Sequence, residues 1–152
     1  MGRISVFHER FEYDDWANRR AMDSLRSTDP PSERGRRVLA HIVGAQDVWL
    51  SRIEPGEPNT NGWPDLSILQ IEARLEGLRG IWEMKLDQIK ESALDARLSY
   101  KNLAGEPFTT PLWQILDHLL FHGAYHRGQI ASQVRSEGGT PILTDYVQFT
   151  RR

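Results

Sequence analysis

Histidine is the residue type in this sequence with the clearest potential for chemistry. His122 and His126 are four residues apart, so on an α-helix both side chains project from one face with Cβ atoms about 5–6 Å apart. Apolar residues occupy the same stripe, which predicts that both rings point into the protein. His41 is in line with Val38 and Ala45 on the inward stripe of an earlier helical segment. Three imidazoles are therefore predicted to face one interior.

A divalent metal ion is the simplest partner for three such rings. Each neutral imidazole carries one donor and one acceptor, and burying these groups without partners is unfavourable. A cation satisfies His41, His122 and His126 together, at metal–nitrogen distances of about 2.0–2.1 Å, and leaves a fourth position for water or substrate. The alternative is three separately satisfied core histidines. An inward pair with a third ring favours the metal site.

Other residues are predicted to lie around the ligands. His118 precedes His122 by four residues, but successive steps of four drift around a helix by about 40° each, so His118 is predicted at the edge of the site. His8, in a charged stretch, is predicted on the surface. Partners that orient ligand imidazoles are common in metal sites, and the candidates here are Trp16, Asn18, Gln46 and Gln129. The alternatives are core packing for the tryptophan and a solvated helix face for the glutamines.

Arg127 directly follows a candidate ligand. Its guanidinium could bind an acidic group of a cofactor. Neighbouring residues on a helix point about 100° apart, however, so a position on the outer face or in a dimer contact is an equal alternative.

Four segments have the periodicity of amphipathic helices. They are predicted at about Ser5–Leu25, Ser32–Ile53, Ser67–Leu94 and Pro111–Gly138. Ser67 and Gln70 resemble a capping box, and Thr110 is predicted to cap the last helix, with Pro111 at its first position. Leu98 to Phe108 is predicted to form an extended turn or a small hairpin.

Length and composition predict one all-α domain over residues 1–152. Four similar helices with short connections favour a four-helix bundle, with another all-helical packing as the alternative. The absence of cysteine excludes disulfides, thiolate ligands and a cysteine nucleophile. A net charge of -2 gives no basic footprint for nucleic acid. No segment has the length of a membrane span or the pattern of a secretory signal, so a cytoplasmic location is expected.

Several motifs resemble those of the DinB-like superfamily, which includes the YfiT-like proteins. The string from His118 through His122-Gly-Ala-Tyr-His126-Arg-Gly-Gln129 resembles its signature. The remaining similar stretches are Tyr13-Asp-Asp-Trp16-Ala-Asn18, Leu39-Ala-His41-Ile followed by Trp49, and Thr140-Pro141 through Thr144-Asp145. The resemblance implies a four-helix bundle, a site for nickel, zinc or a similar ion on His41, His122 and His126, and a homodimer.

The resemblance also implies an activity, because the superfamily includes metal-dependent transferases that use bacillithiol or mycothiol, as well as putative hydrolases. The leading hypothesis is a thiol S-transferase, in which a coordinated thiol is deprotonated and supplies the nucleophile that a cysteine-free chain lacks. Hydrolysis by a metal-activated water is the close variant. The alternative from another class is a non-catalytic metal-binding protein of the stress response, which predicts a fourth protein ligand.

Overall fold

The computed structural model describes all residues, 1–152, and shows a mostly helical protein. Five α-helices, one 3₁₀ turn and two strands follow one another along the chain. They are α1 (Arg3–Leu25), α2 (Glu33–Ile53), α3 (Ile68–Gln88), the 3₁₀ turn (Glu91–Asp95), β1 (Arg97–Lys101), β2 (Pro107–Pro111), α4 (Leu112–Ser136) and α5 (Tyr146–Thr150). No helix is long and apolar enough to cross a membrane.

The helix ends follow local signals in the sequence. The Ser32 hydroxyl accepts a hydrogen bond from the Gly35 amide at the start of α2. The predicted capping box of α3 is present, because Ser67 and Gln70 each bond the other's backbone amide. These contacts satisfy amide groups that the first turn of a helix leaves without partners. The prediction of a continuous helix to near Leu94 was wrong, since α3 ends at Gln88 and a 3₁₀ turn follows.

The start of α4 differs from the prediction. Thr110 does not cap the helix, and Pro111 is not its first residue, because both belong to β2 and Pro111 is the residue before α4. β1 and β2 form an antiparallel hairpin in which Leu98 pairs with Thr110. The turn between them contains Gly105 with φ +84°, a conformation that only glycine adopts readily. The predicted small hairpin is therefore confirmed, and its second strand extends beyond the predicted end at Phe108 to Pro111.

The long helices share one hydrophobic core. α4 packs against α1 and α2, and α3 packs against α1 and less extensively against α2. Residues from all four helices meet in the core, including Leu25, Leu39, Leu86 and Leu116, each with no exposed surface. Burying a side chain of this size contributes about 1.5–3 kcal/mol. The packing of α4 beside α2 is what brings their histidines together.

The chain after α4 returns along α1. The Tyr13 hydroxyl donates to the Thr144 carbonyl at 2.8 Å, and Arg20 Nε donates to the Leu143 carbonyl at 2.8 Å. Phe149 of α5 is buried and packs edge-on against the rings of Tyr13 and Trp16. This packing attaches the C-terminal segment to α1.

Candidate metal centre

Three histidines converge between α2 and α4. His41 comes from α2, and His122 and His126 lie one turn apart on α4. One ring nitrogen from each lies within 4.8 Å of the other two. The closest pair is His41 Nε2 and His122 Nε2, 3.0 Å apart. The three ring centroids are 4.4 to 4.8 Å from one another.

Hydrogen bonds at the far side of two rings determine which nitrogen is free. His41 Nδ1 lies 2.6 Å from the Gly62 carbonyl oxygen, and His126 Nδ1 lies 2.7 Å from Gln129 Oε1. Both partners are oxygen acceptors, so each Nδ1 carries the proton and each Nε2 keeps its lone pair. This arrangement, in which a second partner fixes the tautomer, is typical of histidines that bind metal ions.

The surroundings favour the uncharged form of two of the rings, those of His122 and His41. Burial, with repulsion from the imidazoles of His126, His41 and His118, lowers the pKa of His122 to about 3. Burial also lowers the pKa of His41, although the hydrogen bond to the Gly62 carbonyl opposes that shift. A neutral imidazole is the form that donates a lone pair to a cation.

The donor set fits one divalent cation. Nitrogens bound at about 2.0–2.1 Å in tetrahedral directions are about 3.3–3.4 Å apart. The observed separations, from 3.0 Å up to the limit of 4.8 Å, bracket this value, so small rotations of the side chains would complete the site. Three imidazoles suit zinc, nickel and neighbouring ions. No aspartate, glutamate or cysteine joins the group, which leaves a coordination position for an external ligand.

The loop after α2 supplies contacts that the sequence analysis missed. Trp63 stacks on His41 with ring centroids 3.8 Å apart and an interplanar angle of 7°, and the neighbouring Gly62 accepts the hydrogen bond from the same ring. Gly44 allows this approach, because a Cβ at this position would lie 2.8 Å from the Gly62 carbonyl oxygen. A glycine inside a helix, three residues after His41, was the available signal that another segment approaches closely.

The other predicted site residues divide into two groups. Gln129 hydrogen-bonds His126, and His118 lies at the edge of the group, exposed, with its ring centroid 5.6 Å from that of His122. By contrast, Trp16, Asn18 and Gln46 make no hydrogen bond to a histidine. They line a cavity of about 560 Å³ whose walls come mainly from α1 and α3 and which contains none of the three candidate ligands.

Asn18 and Gln46 belong to a buried polar network around Asp14. Asp14 Oδ2 accepts hydrogen bonds from Gln46 Nε2 at 2.8 Å and from Asn18 Nδ2 at 3.1 Å. Gln46 Oε1 in turn accepts from Trp82 Nε1 at 2.9 Å. Both amides are buried, so the alternative of a solvated helix face is wrong for Gln46. The network joins α1, α2 and α3 in the interior.

Arg127 completes this network and is not on the outer face of α4. Its Nη1 donates to Asp14 Oδ1 at 2.6 Å and to Asn18 Oδ1 at 2.8 Å. The side chains of Arg127 and Asp14 are only 1% and 4% exposed. Burial disfavours the charge, but attraction to Asp14 outweighs it and raises the pKa of Arg127. The ion pair therefore fixes α4 against α1, one residue after His126.

A glycine one residue after His122 provides room for the ion pair. A Cβ on Gly123 would lie 2.7 Å from Asp14 Oδ1 and 2.8 Å from Arg127 Nη1. We therefore expect Gly123→Ala to lower the free energy of unfolding by about 1–3 kcal/mol, because the buried pair must move. Gly128→Ala on the same helix has nothing within 4 Å and should stabilise by up to about 1 kcal/mol. Urea denaturation measures both; equal effects would contradict this role of Gly123.

These features define a mostly helical protein with a three-histidine group that could hold a metal ion. The chain belongs to the DinB family, to which residues 23–152 match. The resemblance seen in the sequence is thereby confirmed, although the motif from Tyr13 to Asn18 lies before the matched residues. Neither the curated proteins nor the solved structures gave a match.

Proposed function

We propose that this protein is a metal-dependent enzyme that transfers a low-molecular-weight thiol to a small electrophile. One observation carries the proposal: three imidazoles converge with one ring nitrogen of each close together, and no fourth protein ligand joins them. A structural metal site is usually closed by four protein ligands, whereas a catalytic site keeps a position open. The lack of a cysteine in the chain means that a sulfur nucleophile must come from a co-substrate.

Each residue of the group has a distinct task in this proposal. A zinc or nickel ion held by this group would supply the positive charge that favours the thiolate form of a thiol at neutral pH. His41, His122 and His126 hold the ion, while the Gly62 carbonyl and Gln129 hold two of the rings in the binding tautomer. Partial burial of His41 and His122 lowers the pKa of both rings and favours their neutral form.

The proposed reaction is a nucleophilic substitution. A bond forms between the thiol sulfur and an electrophilic carbon, while the bond from that carbon to its leaving group breaks. The leaving group departs with the electron pair of that bond, and the proton of the thiol passes to solvent. No oxidant or reductant is required. Hydrolysis, with water in place of the thiol, is the close variant at the same centre.

The non-catalytic alternative predicts a different number of protein ligands. A protein that only stores or senses the metal would be expected to close the site with a fourth side chain. His118 is the nearest further histidine along α4, but its ring centroid lies 5.6 Å from that of His122 and its surface is exposed. Its position at the edge of the site supports the catalytic proposal.

Turnover assays with the metal-loaded protein test this proposal. We expect a chromogenic alkyl or aryl halide to be consumed only when both the metal and a thiol such as bacillithiol or mycothiol are present. His122→Ala should reduce the rate by more than about 100-fold, since metal binding is lost. Turnover of a chromogenic ester without thiol would instead indicate a hydrolase. Inactivity with every thiol and with water would contradict the enzyme proposal.

A further inference from the structure

Exposed aromatic rings lie beside two of the three candidate ligands. Trp63 covers one face of His41, and yet 59% of its surface is exposed. Tyr125 lies edge-on to His126 with ring centroids 5.1 Å apart, and 68% of its surface is exposed. The two rings come from separate elements, the loop after α2 and helix α4. Apolar ring surface is therefore open to solvent next to the histidine group.

Trp63 is held in position rather than free. Its ring stacks on His41, and the centroid of His126 lies 6.4 Å away. The next residue, Pro64, packs against Gly44 of α2, where no larger residue would fit. A surface that is ordered before a ligand arrives loses less entropy on binding. The part of the Trp63 ring that His41 does not cover is thus held in place before a ligand arrives and can contact a planar group.

The charges around the histidines favour an anion. One ion pair of the structure involves a histidine, and it joins His8 of α1 to Asp87 of α3. Neither residue belongs to the group of three candidate ligands. The partners of His41 Nδ1 and His126 Nδ1 are neutral oxygens, and no carboxylate oxygen lies within 4 Å of a ring nitrogen of the three candidate ligands. A divalent ion held by neutral imidazoles keeps its double positive charge, which attracts a negatively charged donor.

We infer that the external ligand of this site is an anion with a planar, uncharged group close to its donor atom, and that this group binds against Trp63 and Tyr125. The inference rests on the proposed function, under which the donor is a thiolate. Aromatic pairs gain from offset stacking and edge-to-face contact beyond the burial of apolar area. The two rings therefore select an aryl group over a saturated group of similar size.

Binding of two matched thiols to the cobalt(II)-loaded protein tests the inference. The probes are phenylmethanethiol and cyclohexylmethanethiol, and their affinities are read from the absorption band that a thiolate bound to cobalt produces. The ratio of the two affinities is compared between variants, so that the different acidities of the thiols cancel. We expect Trp63→Leu and Tyr125→Leu each to reduce the preference for the aryl thiol by about threefold to tenfold.

Phe121→Leu is the matched control. Phe121 is a 69% exposed aromatic residue on α4, like Tyr125, but its ring contacts none of the histidines. The control should keep the parent's ratio. An unchanged affinity ratio in both test variants would overturn the inference. This holds even if the substitutions alter the oligomeric state of the protein. If the metal-loaded parent binds neither thiol, the proposed function fails and the inference fails with it.

Discussion

The His126→Ala variant is expected to lose its metal, while the parent purifies with close to one equivalent. The side chain provides one of three converging nitrogens, and Gln129 Oε1 holds its ring in the binding tautomer. Two imidazoles from different helices bind an ion far more weakly than three, so the affinity should fall by more than about 100-fold. Metal analysis of protein purified without a histidine tag measures the content of both forms.

Substitutions at two nearby positions on α4 serve as controls for the loss of metal. His118→Ala removes an exposed imidazole on the same helix that is not one of the converging three, and it should retain the parent's metal content. Gln129→Ala removes only the oxygen that orients His126, and the affinity should fall by about 10–100-fold. Equal retention of metal by the His126→Ala variant and the parent would contradict the proposed ligand set.

Asp14→Ala is expected to be the most destabilising single substitution considered for the fold. It leaves the charge of Arg127 buried without its partner, and it removes the acceptor for Asn18 and Gln46. Breaking a buried ion pair from one side costs about 3–5 kcal/mol. Urea denaturation of the metal-free proteins gives the free energies of unfolding. Asp14→Ala combined with Arg127→Met should recover part of the loss, because no unpaired charge remains.

The chain offers a matched control for this ion pair. Arg10 and Asp117 also join α1 to α4, at 3.0 Å, but their side chains are 44% and 21% exposed. An exposed pair contributes at most about 1 kcal/mol, so Arg10→Ala should have a small effect. If Asp14→Ala lowers the free energy of unfolding no more than Arg10→Ala does, the buried network is not what fixes α4 against α1.

The helices were predictable because their signals are local. The apolar periodicity and the capping residues Ser32 and Ser67 lie within the segments that they define. The same is true of the pair His122 and His126, whose common face follows from a spacing of four. His41 could be added because its own helix indicates an inward stripe. The main elements of the candidate site therefore follow from helix geometry alone.

The errors arose where a residue's partner is distant in sequence. Thr110 was assigned to a helix cap because its pairing with Leu98 depends on the hairpin. Arg127 was given an outer position or a cofactor role because periodicity does not reveal Asp14, 113 residues away, as its partner. The contacts of Gly62 and Trp63 with His41 likewise depend on how a loop folds back over α2. Such partners are fixed by tertiary packing, on which local sequence patterns carry little information.

X-ray absorption at the metal edge of the purified, untagged protein tests the central claim most directly. We expect three imidazole nitrogens at about 2.0–2.1 Å and one further light or sulfur ligand. His41→Ala should purify with little metal, and when the ion is supplied in excess its imidazole scattering should be reduced. A spectrum with one imidazole or none, or with the same imidazole count after His41→Ala, would contradict this claim.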